Sequence, residues 1–235
     1  LHLSLRRQRQ MCIRDRYASD FNTLIIGHPQ DYFLTKDTSA TNGVFASIKG
    51  ISSGPDTAEK IGMERDTALV SNLNIRYHAD QITTKIGLDV LRKAKATNKQ
   101  LTAGTSIHHI LFNELDIGNY RTFFKLKPPL RSNSDREALT EAIREGLIDN
   151  ICSMHTPQDE ESKRLPFEEA APGAVGLETI LSASLSLYHN KVLSLNELFR
   201  LLALNPANII KKNLGSLEVG RPADIIIFDP DKPVK

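Results

Sequence analysis

"NICSMHTPQ", residues 150–158, decides the fold. A short apolar run through Ile151 and Cys152 gives way to a polar loop of Met154, His155, Thr156, Pro157 and Gln158. Parallel-barrel enzymes place their chemistry where a strand empties into such a cluster at its C-terminal end. The sequence before it supplies the neighbours that a buried strand needs. "TLIIG" (23–27), "LNIRYHA" (73–79) and "QLTAGTS" (100–106) read as strands, and "IDNICSM" (148–154) is the fourth.

Helical patterns separate these strands. "AEKIGMERDTALVSN" follows a cap at Asp56 or Thr57 and offers Ile61, Ala68 and Leu69 as its apolar residues. "TTKIGLDVLRKAKATN" (83–98) places Ile86, Val90, Leu91 and Ala94 on one face, and "DREALTEAIREGL" closes at Gly146. Two more helices are expected at about 176–189 and 194–204, and the Gly/Ser/Pro-rich stretch 43–55 reads as loop. Strand–helix alternation predicts an α/β protein with a parallel sheet. Four such units make the later half of a (β/α)8 TIM barrel, placed here over residues 17–210. Residues 211–235 begin a small C-terminal β-segment, with Ile225, Ile226, Ile227 and Phe228 as an expected strand that lacks partners in the chain. The pattern is that of a chain cut at both ends. Its two open sheet edges are expected to make it prone to aggregate in isolation.

The bulk numbers exclude several functions. The 235 residues are 40% hydrophobic and 25% charged, an ordinary globular composition. No apolar run approaches the roughly 18–20 residues that span a bilayer, so no membrane role is expected. Cys12 and Cys152 are too few for a disulfide framework, which points to a reducing, cytoplasmic setting. The net charge of +2 belongs to "LHLSLRRQRQMCIRDR" (1–16), which holds five Arg and one Asp. Without it, 25 basic and 27 acidic residues remain, a net −2, and no footprint for nucleic acid. That tail has no signal-peptide order and resembles a translated sequencing-adapter fragment, so it is set aside as non-native.

Five of the seven His fall at or just past the expected strand ends: His28, His78, His108, His109 and His155. In a barrel those ends share one rim, so residues distant in sequence converge. A hydrolytic zinc site asks for three or more His or carboxylate ligands and an open position for water. The bound water then needs a carboxylate to carry its proton, a contribution of about 10²–10⁴ in rate. The nearest acids to the rim are Asp80 and Asp31. A second cluster, "FKLKPPLRS" (124–132), holds Lys127 and Arg131 on either side of two rigid prolines, positioned to grip a carboxylate or simply to be solvated.

Three blocks now stand together. "KPPLRSNSDREALTEAIREGLIDN", "HTPQDEESKRLPFEEAAPGAVGLETIL" and "NPANII…GSLEVGRPADIIIFDPD" resemble, in content and order, the dihydroorotases, cyclic amidohydrolases of pyrimidine (UMP) biosynthesis. The resemblance runs from about residue 22 to the end. It implies a zinc-dependent (β/α)8 barrel whose small β-domain uses both chain ends. The family's His-x-His strand and its metal-bridging residue precede the stretch matched here. The resemblance makes His28 a metal ligand, with His78 close by, and makes Lys127, Arg131, His155 and Gln158 substrate contacts.

The match is uneven where the chemistry lies. The family reads Y-H-x-x-H-x-S where this chain has "YHADQIT", so Gln81 stands at a ligand position. It reads D-H-A-P-H where this chain has "MHTPQ", so Met154 replaces the proton-carrying Asp and Gln158 the substrate His. Lys127 stands where the family has Asn. An amide is a poor zinc ligand beside an imidazole, and a thioether carries no proton.

The resemblance leaves three readings open. One is a member with impaired catalysis that serves as structural partner of aspartate carbamoyltransferase. Another is an active dihydroorotase interconverting N-carbamoyl-L-aspartate and dihydroorotate. The third is a ligand-binding barrel in which Lys127 and Arg131 hold a carboxylate without chemistry. A homo-oligomer is expected in each.

Overall fold

A computed structural model describes residues 17, 20–71 and 75–232. The basic tail 1–16, Cys12 included, and the start of the expected second strand lie outside the described residues. The strands are β1 (Leu24–Gly27), β2 (Ala40–Thr41), β3 (Ser53–Gly54), β4 (Arg76–Ala79), β5 (Leu101–Ser106) and β6 (Asn150–Cys152). Four of them form one parallel sheet in the order β1-β4-β5-β6, which is the expected succession of barrel strands. The pair β2–β3 forms a separate parallel ribbon, with β3 inside the 43–55 segment expected to be loop and β2 just before it.

The crossovers are α1 (Thr57–Ser71), α2 (Lys85–Thr97) and α3 (Asn133–Arg144), and α4 (Ile180–His189) follows β6. Thr84 caps α2 by accepting from the Gly87 amide, and Ser132 caps α3 through the Asp135 amide. Gly146 ends the third crossover in the left-handed conformation (φ 72°) that glycine adopts without penalty. Between sheet and helices lies one apolar core. It joins Ile25, Ala79, Leu101, Ala103 and Ile151 of the strands to Met63, Leu88, Leu91, Leu139, Ile143 and Leu185 of the helices.

One sequence expectation is corrected. The buried face of α1 is not built on Ile61, Ala68 and Leu69. Ile61 is 43% exposed, and the inward residues are Ala58, Glu59, Gly62, Met63, Asp66 and Val70. Two carboxylates therefore face the interior, each with a reason. The Tyr77 hydroxyl donates to Asp66 at 2.6 Å, and Glu59 is taken up by the network described next. The run Ile225–Phe228, expected as a strand without partners in the chain, pairs with no strand among the described residues, and Ile225, Ile226 and Ile227 stay exposed. Only Phe228 finds packing, against the Phe199 ring. The last helical stretch is longer than expected: Leu195–Phe199 passes through a wider turn at Arg200–Leu204 into Asn205–Ile209.

Glu59 is fully buried and ties three segments together. Its carboxylate accepts from the Thr83 and Thr84 amides at 3.0 and 2.8 Å and from both threonine hydroxyls at 2.5 and 2.8 Å. The Arg131 guanidinium stands 3.6 Å away and donates in addition to Thr83 Oγ1 and Thr41 Oγ1. Helix α1, the loop leaving β4 and the proline-rich loop are thus pinned at one point. A buried charge pair is favoured when further hydrogen bonds satisfy its partners, and here the carboxylate accepts the four bonds above and the guanidinium donates two besides the ion pair.

The inward face of α1 is open to direct test. Met63→Ala is expected to cost about 2–5 kcal/mol in chemical denaturation, and Ile61→Ala about 0.5 kcal/mol or less. The reverse ranking would restore the face read from the sequence.

Candidate functional site

The C-terminal ends of β1, β4, β5 and β6 lie side by side, so the residues just beyond them form one rim. Gly27 pairs with Ala79, and the Asp80 amide donates to the Gly27 carbonyl at 2.8 Å. This places His28 beside Asp80. The protein packed around the His28 ring lowers its pKa by desolvation, against the opposing pull of the Asp80 and Glu59 carboxylates.

His78 lies inside β4 and is buried. Its Nδ1 stands 2.8 Å from Thr102 Oγ1 on β5. The ring fits because residue 104 is glycine: a Cβ there would lie 3.0 Å from His78 Nε2 and 2.5 Å from Asn150 Oδ1. Burial lowers the His78 pKa.

Gln81 and Met154 close the rim from β4 and β6. Both have left-handed backbone, at φ 57° and 44°. Side chains rarely adopt that region, though Asn, Asp and His do so several-fold more often than the rest. Gln81 is buried, and its amide donates to Asp80 at 3.4 Å. His155 is exposed, and its Nδ1 accepts from the Gly176 and Leu177 amides, each at 3.2 Å. That ring therefore fastens the strand end to the loop before α4, an arrangement completed by the bridge between His155 and Ala174.

The remaining expected residues are divided. Lys127 is exposed and precedes Pro128 through a cis peptide bond. Gln158 is exposed and donates to the Pro172 carbonyl at 3.2 Å. Arg131, expected as a substrate contact, is turned inward. It is 4% exposed, and the carboxylate it holds is the protein's own Glu59. His109 is likewise no rim residue: it is buried, with Nε2 3.2 Å from the Pro129 carbonyl, and burial drives its pKa down to about 3. His108 opens the short helix Ile107–Leu111 and is buried with Nε2 unpartnered. Sequence reasoning missed Glu59, whose only signal was a Glu in the first turn of α1, where an acid is ordinarily read as a surface dipole partner.

A zinc ion asks for three or four converging N, O or S ligands. Among the described residues no three His, Cys, Asp or Glu side chains converge in that way. His28 has Asp80 beside it, His78 Nδ1 is engaged by Thr102, and the next position is the Gln81 amide. The described residues do not by themselves fit the metal.

Four parallel strands with helical crossovers and a rim at their C-terminal ends define part of a (β/α)8 barrel, and solved structures agree. The L-hydantoinase (dihydropyrimidinase) from Arthrobacter aurescens superposes with a TM-score of 0.81 at 23% identity, over 92% of this chain and 50% of that one. A D-hydantoinase from a Bacillus sp. AR9 gives 0.78 at 18% identity, over 91% and 50%. At those identities the likeness is one of fold.

The amidohydrolase family model matches residues 13–235, and the chain belongs to that family. It is similar to the dihydroorotase of Ehrlichia canis (strain Jake), 36% identical over 214 residues, which are 91% of this chain and 48% of that protein. The dihydroorotase of Aquifex aeolicus (strain VF5) is 35% identical over 215 residues, 92% and 50% of the two chains. A dihydroorotase-like protein of Pseudomonas aeruginosa is 31% identical over 214 residues, 91% and 51%. The chain spans about half the length of the curated relatives it matches. No helix among the described residues is long and apolar enough to cross a membrane.

The histidines fix the sign of a pH dependence. His28, His78, His108 and His109 all have pKa values lowered from the ordinary 6.5 by desolvation, His109 to about 3. The unfolded chain therefore binds protons that the folded one refuses. The stability these rings contribute is full above about pH 6.5 and is lost as pH falls toward 3. Thermal melts are expected to show a lower Tm at pH 5.5 than at pH 7.5, and His109→Gln is expected to flatten that fall. An equal or higher Tm at pH 5.5 would count against these buried neutral rings.

Proposed function

We propose that the chain is part of a dihydroorotase-family protein in which hydrolytic chemistry is impaired, and that it persists as a structural partner of aspartate carbamoyltransferase in pyrimidine biosynthesis. The observation that supports this reading is the pair Gln81 and Met154. They occupy the rim positions where the resemblance expects a metal-binding His and a proton-carrying Asp. Both have the left-handed backbone that His and Asp accept more readily than Gln and Met do. The backbone of the site is retained and its reacting groups are exchanged. Replacing base and ligand together removes more than either change alone suggests, because such groups act as a unit. The relatives include proteins named dihydroorotase and dihydroorotase-like protein, which supports the family part of the reading.

The alternative of an active zinc-dependent dihydroorotase draws on His28 and His78, whose lowered pKa values keep them neutral and able to ligate.

The intact protein, purified and assayed for bound zinc and for dihydroorotate hydrolysis, separates the two. Substoichiometric zinc and turnover at least about 10³-fold below that of an active relative are expected. Association with the carbamoyltransferase is expected on co-purification. Stoichiometric zinc with robust turnover would overturn the impaired reading, and a monomer that ignores the carbamoyltransferase would overturn the partner role. Met154→Asp alone should leave the protein inactive while Gln81 remains.

A further inference from the structure

A cavity of about 450 Å³ lies at the end of the sheet opposite the rim. Arg76 opens β4, Lys99 stands two residues before β5 and Asn22 two residues before β1, so the N-terminal ends of three neighbouring strands border it. Asn208 and Lys211 bring the end of the helix Asn205–Ile209 against the same space. None of His28, Asp80, Gln81 or Met154 lines it.

Charge sets this cavity apart. Its described lining holds three cations, Arg76, Lys99 and Lys211, and no Asp or Glu. The body of the chain carries a net −2, so composition alone does not gather cations there. Elsewhere cations are matched: Arg92 stands 2.9 Å from Glu145, and Lys95 stands 2.5 Å from Asp149. Asp149 is engaged further by the Ala103 amide of β5, at 2.6 Å. Among the described residues no carboxylate pairs with Arg76, Lys99 or Lys211.

Arg76 is held in place. It is half-buried, and its Nη2 donates to the Ile209 carbonyl, which fastens the guanidinium to the helix end. A guanidinium carries five donors in a rigid fork, so one carbonyl leaves most of them for an oxyanion. Lys99 and Lys211 are exposed and add point charges on flexible stems. A concave wall lined by one sign of charge focuses its field on whatever occupies it.

We propose that this cavity binds a small molecule through a pyrophosphate group, with Arg76 as the fixed fork and Lys99 and Lys211 as the closing charges. A multiply charged anion answers three cations, which a single carboxylate does not. The volume falls within the about 300–1,000 Å³ of ligand pockets and leaves room for an organic group beside the phosphates. Parallel barrels keep their chemistry at the C-terminal face and use the N-terminal face for stability. The anion bound here is therefore a stabilising ligand and not a substrate: it neutralises like charges that only the folded chain brings together. The site goes beyond the reading given above and holds whether or not the rim hydrolyses anything.

Pyrophosphate itself is the probe, titrated into the intact protein by calorimetry and thermal melts at constant ionic strength, with sulfate as the singly grouped anion. Pyrophosphate is expected to bind in the sub-millimolar range and to raise Tm, and sulfate to bind at least about tenfold more weakly. Lys99→Glu combined with Lys211→Glu changes two exposed residues, so folding is preserved, and should abolish pyrophosphate binding. Lys93→Glu combined with Lys191→Glu makes the same change in net charge at exposed positions away from the cavity, and should leave binding intact. No binding at about 10 mM pyrophosphate, or equal loss in both double variants, would sink the site. So would a short single-stranded oligonucleotide that binds more tightly than pyrophosphate, since the surface would then be a nucleic-acid footprint. None of these readouts involves zinc or dihydroorotate, so failure here is distinguishable from failure of the proposed function.

Discussion

The Glu59 carboxylate is the point on which the rim depends. A glutamate buried without partners would cost several kcal/mol and would simply take up a proton. Here two amides, two hydroxyls and a guanidinium surround it, so the carboxylate becomes a fastener. It joins helix α1 to the loop that leaves β4 at Thr83 and Thr84, two residues after Gln81. Through Arg131 it also holds the proline-rich loop, whose Thr41 contact reaches the β2–β3 ribbon. Remove the carboxylate and three loops lose a common anchor.

On the proposed reading scaffold and chemistry part company in the chain, and this arrangement accounts for it. The residues that hold the rim in place, Glu59, Thr83, Thr84, Arg131 and Gly104, are packed or paired inside the protein. Each is fixed by neighbours that would be left unsatisfied if it changed. Gln81 and Met154 sit at strand ends, where backbone conformation is set by the sheet and by the loops rather than by the side chain. A reacting group can be exchanged there while the fold stands. His155 shows the same logic from the other side: its ring holds two loop amides, which gives it a structural reason to persist beside a Met that carries no proton.

Much of the fold was legible from strand-length apolar runs alternating with helical periodicity, because a parallel sheet covered by helices demands that pattern. β1, β5, α2 and α3 fall where the pattern puts them. The inward face of α1 was not legible. Hydrophobic periodicity places acids outward, and the partners that draw Glu59 and Asp66 inward are distant in sequence. Ile225–Phe228 reads as a strand by its β-branched composition, which does not show whether a pairing edge exists. At the site, the strand ends were readable and the roles less so. Arg131 looked like a ligand for a substrate carboxylate because nothing in its loop reveals a carboxylate coming from α1.

The most direct test of the account is a double-mutant cycle on Glu59 and Arg131, read by chemical denaturation of Glu59→Ala, Arg131→Ala and the double variant. Breaking a buried pair by removing one partner costs about 3–5 kcal/mol, because the survivor is left uncompensated. Each single variant is therefore expected to lose stability on that scale, with the double variant little worse than either and a coupling of about 2 kcal/mol or more. Strictly additive losses, or single variants as stable as the parent, would show that the rim does not hang on this pair.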